Sequence, residues 1–199
     1  MLDYMRQTAT PNDYFAAADN GAGYLNPALL QEPRPISSLP SGLDAWANHC
    51  LPYYQRWDLS ITGFIIDGSG PAMNDQAFDC YARFSPNGIV PQKVPATLLH
   101  GNLPILRHDW DINQEDPAQA AQTLVQRIQG RQPLHFHWFR NILKTPAWYV
   151  QVHQNVKKEC PQAEFLDAPT FFELYRIYLQ TTPVAAQGKI KIPWPHWPQ

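Results

Sequence analysis

The apolar positions of this chain follow two alternating patterns. Short runs of consecutive apolar and β-branched residues are separated by stretches in which apolar residues recur every three or four positions, the spacing of one helix face. Residues 13–18 read as a first strand, followed by a polar, glycine-rich loop over 19–27. Pro33, Pro35 and Pro40 mark an extended stretch. Leu43, Trp46, Ala47, Cys50, Leu51 and Tyr54 then form a helical stripe, with Ser41 as its expected N-cap and Pro52 kinking or thinning its last turn. Residues 60–66 (SITGFII) read as a buried strand that ends in the loop 67–71. Asn74 is placed to cap a short helix through Phe84, with Ala77, Phe78 and Tyr81 inward. Residues 88–90, 96–100 and 103–107 are strand-like, although prolines fall between them.

The last third repeats the alternation. Asp116 with Pro117 opens a helix whose inner stripe is Ala121, Leu124, Val125 and Ile128, and Gly130 stops it. Residues 134–139 read as a strand. Thr145 and Pro146 open another helix, with Tyr149, Val152 and Val156 inward and Pro161 as the stop. Residues 164–166 read as a short strand, and Phe171, Leu174, Tyr175 and Tyr178 line a final helix. Strand and helix in turn imply a mostly parallel α/β sheet of five to seven strands with right-handed crossovers. An eight-stranded α/β barrel usually takes about 250 residues, so 199 residues suit an open sheet or an incomplete, TIM-like barrel. Residues 1–180 form one α/β domain on this reading, and 181–199, ending in PWPHWPQ, form a Pro/Trp-rich mobile extension.

Composition narrows the function. The net charge is −2, with no basic stripe, which argues against nucleic acid. No apolar run reaches the roughly 18–20 residues of a membrane span. The first ten residues carry no apolar core of a signal peptide. Aromatic residues make up 13% and charged residues only 16%, against about 25% charged in ordinary domains. The cysteines, Cys50, Cys80 and Cys160, are far apart and odd in number, so at most one disulfide can form, and three partly buried thiols are the plainer expectation.

In parallel α/β folds chemistry gathers at the carboxyl ends of strands. That rule selects Asp19, Asn20 and Tyr24 after the first strand, and Asp67 after the second. It selects His108, Asp109 and Asp111 after residues 103–107, Arg140 and Asn141 after residues 134–139, and Asp167 after the last short strand. Asp67, Asp109 and Asp111 are candidate catalytic carboxylates: a pair flanking a glycosidic bond supplies acid and base, or acid and nucleophile. Trp110 between the latter two offers an indole on which a sugar face can stack. Asp67 as the cap of an Asx-turn, and Asp109 and Asp111 as solvated loop residues, are the plainer readings. His135 and His137 share one strand face. They lack a third ligand at diagnostic spacing, which argues against a metal; such histidines more often line a barrel interior or donate to a substrate hydroxyl. Arg140 can clamp a carboxylate, with a loop salt bridge as the plainer reading. No cofactor is expected: Gly21-Ala22-Gly23 lacks the later glycine of a dinucleotide fingerprint, and no phosphate-loop or serine-elbow motif occurs.

Residues 10–27 read TPNDYFAAADNGAGYLNP. This stretch resembles the signature of the GxGYxYP family of putative glycoside hydrolases, in its C-terminal domain. Gly21, Gly23, Tyr24 and Pro27 match, preceded by Asn12-Asp13-Tyr14-Phe15, while Asn26 stands where the family has a second tyrosine. The order of later segments, through Arg140, Thr145-Pro146 and the APTFFELYR stretch, is similar too. The resemblance implies an oligo- or polysaccharide partner, a site that includes Asp13, Tyr24 and Asn26, and an upstream domain outside this chain. A signal peptide in such an upstream segment would make the protein extracellular. Two other readings stand beside a glycoside hydrolase: a non-catalytic carbohydrate-binding domain, and a metal-dependent, polysaccharide-deacetylase-like hydrolase using His135 and His137.

Overall fold

The computed structural model describes residues 1–21, 23–32, 34, 37–129 and 135–182. Six α-helices lie among them: α1 (Leu2–Gln7), α2 (Leu43–Trp57), α3 (Asp75–Phe84), α4 (Pro117–Ile128), α5 (Pro146–Glu159) and α6 (Ala168–Thr181). The strands are β1 (Ile61–Ile65), β2 (Gly88–Pro91), β3 (Leu99–His100) and β4 (Leu103–Pro104), and single 3-10 turns occupy Asp19–Gly21 and Pro27–Leu29. None of these helices is long and apolar enough to cross a membrane.

The helix starts follow from their caps. Asn74, Asp116, Thr145 and Asp167 each accept a backbone N–H of the first turn, and each of the last three is followed within two residues by a proline that has no N–H to satisfy. Gly42, not Ser41, takes the cap position of α2, although the Ser41 hydroxyl still accepts the Leu43 amide at 3.3 Å.

The main pairings are parallel and sequential, while β3 and β4, in the region expected to add strand-like segments, form a separate two-stranded antiparallel pair. β1 pairs with β2. On one side of β1, Ala17 bridges to Thr62, and on the far side of β2, Ile89 bridges to Ile105. A further parallel bridge joins Asp111 to Arg140, through bonds from the Arg140 amide to the Trp110 carbonyl (3.1 Å) and from the Ile112 amide to the Arg140 carbonyl (2.8 Å), and the Asp109 amide adds a bond to the Trp138 carbonyl (2.9 Å). The expected strand at 13–18 is thus a single bridge at Ala17. The expected strand at 134–139 is an extended segment paired only at its carboxyl end, and its first residue lies outside the described residues, as do Pro33, Pro35 and Gly130. Residues 164–166 form no strand, and Phe165 and Leu166 are exposed.

Helices cover both faces of this sheet. Ile65, Ile89 and Ile105 face the aromatic cluster of α2 and α3, built on Trp46, Tyr54, Phe78, Tyr81 and Phe84. Ile61, Val90 and Leu106 point the other way, onto Phe172, Tyr175 and Leu179 of α6. Among the described residues no barrel closes: the parallel segments form an open series, and α6 lies against its second face. A separate core joins α4 to α5 through Leu124, Val125, Val152 and Val156.

Two inward stripes are offset by one residue from the sequence expectation. In α5 the buried partner of Val152 and Val156 is Trp148, while Tyr149 is 44% exposed. The spacing of 148, 152 and 156 is four throughout, and the Trp148 indole N–H is anchored on the Glu115 carbonyl at 3.0 Å. In α6 the core face is Phe172, Tyr175 and Leu179, and Leu174 is 44% exposed. This helix is apolar on two faces, so periodicity alone does not choose between them. The three cysteines are free and buried. Cys50 and Cys80 lie within helices, and Cys160 caps the end of α5. Burial pushes the Cys50 thiol up to about 11, which leaves it an inert core residue.

Candidate functional site

Because the bridged segments run parallel and in register, their carboxyl ends meet on one edge. The residues gathered there are the loop after Ala17, Asp67 beyond β1, Gln92 beyond β2, the run from Arg107 to Asp111, and Arg140.

The loop after Ala17 is held by two asparagines. Asn20 is fully buried with φ 69°, a left-handed conformation that asparagine tolerates better than most residues. Its side chain donates to the Leu25 carbonyl at 2.5 Å and accepts the Ile66 amide just past β1, and its own carbonyl accepts the Tyr81 hydroxyl at 3.2 Å. Asn26 is buried too. It donates to the Ser69 carbonyl at 2.7 Å and accepts the Ala28 amide at 2.9 Å. The residue that departs from the family signature therefore stitches its loop to the loop beyond β1. Gly21, at φ 91°, lets the chain pass close to Tyr54, whose hydroxyl would lie 2.9 Å from a Cβ there. Tyr24 is left 79% exposed, a free aromatic face.

Asp67 is 1% exposed. One carboxylate oxygen accepts the amides of Gln92 (2.8 Å) and Lys93 (3.1 Å), fixing the loop that leaves β2. Burial pushes its carboxyl above the ordinary value, and the two amides and Lys93 oppose that shift only in part. The folded protein thus holds the Asp67 proton more tightly than the unfolded chain does. This group's contribution to stability is fullest at low pH and is lost as pH rises from the unfolded carboxylate value, about 3.9, through the raised folded one. Asp67→Asn keeps an amide oxygen for both donors and removes the ionisation. The variant is expected to be at least as stable as the parent at neutral pH and to lack this part of the pH slope. Urea midpoints measured across that range check this, and a variant markedly less stable at neutral pH would contradict it.

Asp109 and Asp111 stand on the next segment, with an arginine and two histidines around them. Arg140 grips Asp111 with two parallel bonds, Nε to Oδ1 and Nη2 to Oδ2, both 3.0 Å, a geometry that fixes orientation as well as charge. His108 Nε2 lies 3.2 Å from Asp111 Oδ1. Burial lowers the His108 pKa, and the nearby Asp111 only partly offsets this. Phe64 of β1 lies beneath both side chains, 4.1 Å from the Arg140 guanidinium carbon and 5.3 Å from the His108 ring. Asp109 accepts the Trp138 amide at 2.8 Å and lies 3.3 Å from His137 Nδ1. Arg107 donates from Nε to the Gln92 carbonyl at 3.1 Å, linking this segment to the loop that Asp67 holds.

Of the residues selected from sequence, Asp109, Asp111, Arg140 and His137 are brought together. His135 lies two residues earlier in the same extended segment, with its ring 6.2 Å from that of His137. Trp110 carries the Arg127 guanidinium 4.1 Å over its ring, so one face is covered. Asp13 is engaged locally, accepting the Thr10 amide and hydroxyl at 2.8 Å each. Among the described residues, no three His, Cys, Asp or Glu side chains converge as a metal site. Sequence reasoning passed over Phe64, Arg107 and Gln92, whose types carry no distinctive signal. Only strand register brings them to this edge.

The model of the family described as GxGYxYP putative glycoside hydrolase C-terminal domain matches residues 1–176. No curated protein and no solved structure matches the chain.

Proposed function

Because this chain belongs to the GxGYxYP putative glycoside hydrolase C-terminal domain family, we propose that it acts on a carbohydrate at the carboxyl edge of its parallel segments, with Asp109 and Asp111 as the working carboxylates. The observation that carries this reading is the pair itself. Two aspartates of one segment stand at strand ends, each beside a histidine, and one is locked by a bidentate arginine. Glycosidic cleavage needs one carboxyl group to protonate the leaving oxygen and a second to activate water or attack the anomeric carbon. Asp111, whose orientation Arg140 and His108 fix, suits the second role. Asp109, beside His137, suits proton transfer. Asp67 holds the loop beyond β2 in place, and Tyr24 offers a platform for a sugar ring.

The test is release of chromophore from a panel of aryl glycosides by the parent, Asp109→Asn and Asp111→Asn. Each variant is expected to melt cooperatively and to lose turnover by about 10²-fold or more. Turnover within about twofold of the parent in both variants, on the scale of effects expected of an acid or base, would overturn the assignment. The exposure of Tyr24 favours a second reading, a domain that binds saccharide without cleaving it. Its signature in the same panel is a ligand-dependent rise in melting midpoint with no release of chromophore.

A further inference from the structure

Phe64 is 5% exposed, but it is not among the residues of the three apolar clusters. A buried phenylalanine in a strand is ordinarily a core residue. The reason that it is not one here lies in the register of β1. From Thr62 to Ile65 that strand advances three residues while β2 advances two, from Ile89 to Pro91. The extra residue is a β-bulge, a device that re-aims side chains and is common beside active sites. Its effect shows in the isoleucines. Ile61 and Ile65 are four positions apart and would share one face of a regular strand. Ile61 instead packs with α6, and Ile65 with α2 and α3. The two residues inside the bulge both meet the segment that ends in Arg140. A Cβ on Gly63 would lie 3.1 Å from a Trp138 ring carbon, and Phe64 lies under Arg140, two residues further along that segment.

The contacts of Phe64 are selective. The Arg140 guanidinium carbon stands 4.1 Å over its ring, within cation–π range. The His108 ring meets it at 5.3 Å with the planes 76° apart, an edge-to-face arrangement. These are the two side chains that flank one carboxylate: Arg140 bonds Asp111 twice at 3.0 Å, and His108 Nε2 lies 3.2 Å from it. We propose that Phe64 is a positioning residue of this site, fixing the Asp111 carboxylate through Arg140 and His108. An arginine side chain is long and rich in rotamers. A bond to an aspartate whose side chain is 35% exposed does not by itself hold it in one geometry. The ring supplies a flat floor on which the planar guanidinium stacks, and it keeps water from that side of the ion pair, where screening would weaken it. That Phe64 matters to turnover rests on the reading of Asp111 as a working carboxylate; that it holds Arg140 does not.

Magnetic resonance of the Arg140 Nε–H in the full chain tests this. That hydrogen is donated to Asp111 Oδ1, so its exchange with water reports how often the clamp opens. Phe64→Leu keeps an apolar side chain but removes the ring, and is expected to speed this exchange at least about tenfold. Phe64→Tyr keeps the ring, and is expected to stay within about twofold of the parent. Ile65→Val controls for general loosening: it thins the same strand where that packs on α2 and α3, and is expected to leave the exchange unchanged. Where Phe64→Leu does not melt cooperatively, Phe64→Met, also apolar and without a ring, takes its place. Unchanged exchange in the ringless variant would overturn the proposal, and so would equal acceleration in Ile65→Val or Phe64→Tyr. In the aryl glycoside panel, Phe64→Leu is expected to lower kcat about tenfold with KM within about twofold of the parent. Unchanged kcat would overturn the role in turnover. Release of chromophore by neither parent nor variant would count against the carbohydrate reading, and the exchange rates would then decide this proposal alone.

Discussion

Asn20→Ala lowers folding stability by about 2–4 kcal/mol, a large share of what a domain of this size has. Three losses add. The Ile66 amide and the Leu25 carbonyl lose their partner at a position with no solvent access, and an unsatisfied buried polar group costs about 1–3 kcal/mol. Alanine must also hold φ 69°, which costs an L-residue other than Asn, Asp or Gly roughly 1–2 kcal/mol. Asn20→Gly isolates the last part: it restores backbone freedom but not the side-chain bonds, and is expected to recover only a fraction. Asn20→Asp keeps the acceptor for Ile66 but turns an oxygen toward the Leu25 carbonyl, and is expected to be destabilising as well. Urea unfolding of the three variants measures all of this. A loss below about 1 kcal/mol for Asn20→Ala, within the range of an ordinary surface change or single hydrogen bond, would show that water replaces the asparagine. The functional consequence follows from geometry, since the same bonds hold the loop that presents Tyr24 above the strand ends.

The second large effect is expected at Gly88→Ala. A Cβ on Gly88 would lie 2.4, 2.5 and 2.7 Å from three carbons of the Phe172 ring, well inside van der Waals contact. The ring cannot retreat freely. It is 1% exposed and packs against Trp138 and Phe171 at centroid distances of 5.3 and 5.5 Å. Displacing it separates α6 from the start of β2, and overpacking of this kind costs about 3 kcal/mol. The diagnostic is a double-mutant cycle with Phe172→Leu. The smaller side chain makes room for the methyl group, so the two changes together are expected to cost less than the sum of each alone. Strict additivity would mean that the clash is relieved elsewhere.

The candidate site shows the same division of labour. That Asp109, Asp111 and Arg140 deserved notice was legible from the sequence, because each follows an apolar run. That Arg140 would seize Asp111 with both nitrogens was not legible, since 28 residues separate them and only the parallel register of residues 109–112 with 138–140 brings them side by side. Asp67 is the instructive case. Its position after SITGFII marked it as a strand-end aspartate, a property equally consistent with catalysis and with holding a loop. Two amides on one oxygen and near-complete burial are facts of the tertiary structure.

By itself the sequence determined the local structure: the side-chain caps at Asn74, Asp116 and Thr145, the buried strand of β1, the α/β alternation and the family to which the chain belongs. These are decided by interactions within a few residues, or by patterns that recur at fixed spacing. Tertiary structure decided what depends on partners distant in the chain. It chose Phe172, Tyr175 and Leu179 as the core face of α6, because a helix apolar on two sides buries whichever face the sheet meets. It also left the parallel segments as an open series, because whether a sheet closes depends on how its last segments pair, and residues 164–166 find no neighbouring strand among the described residues to pair with.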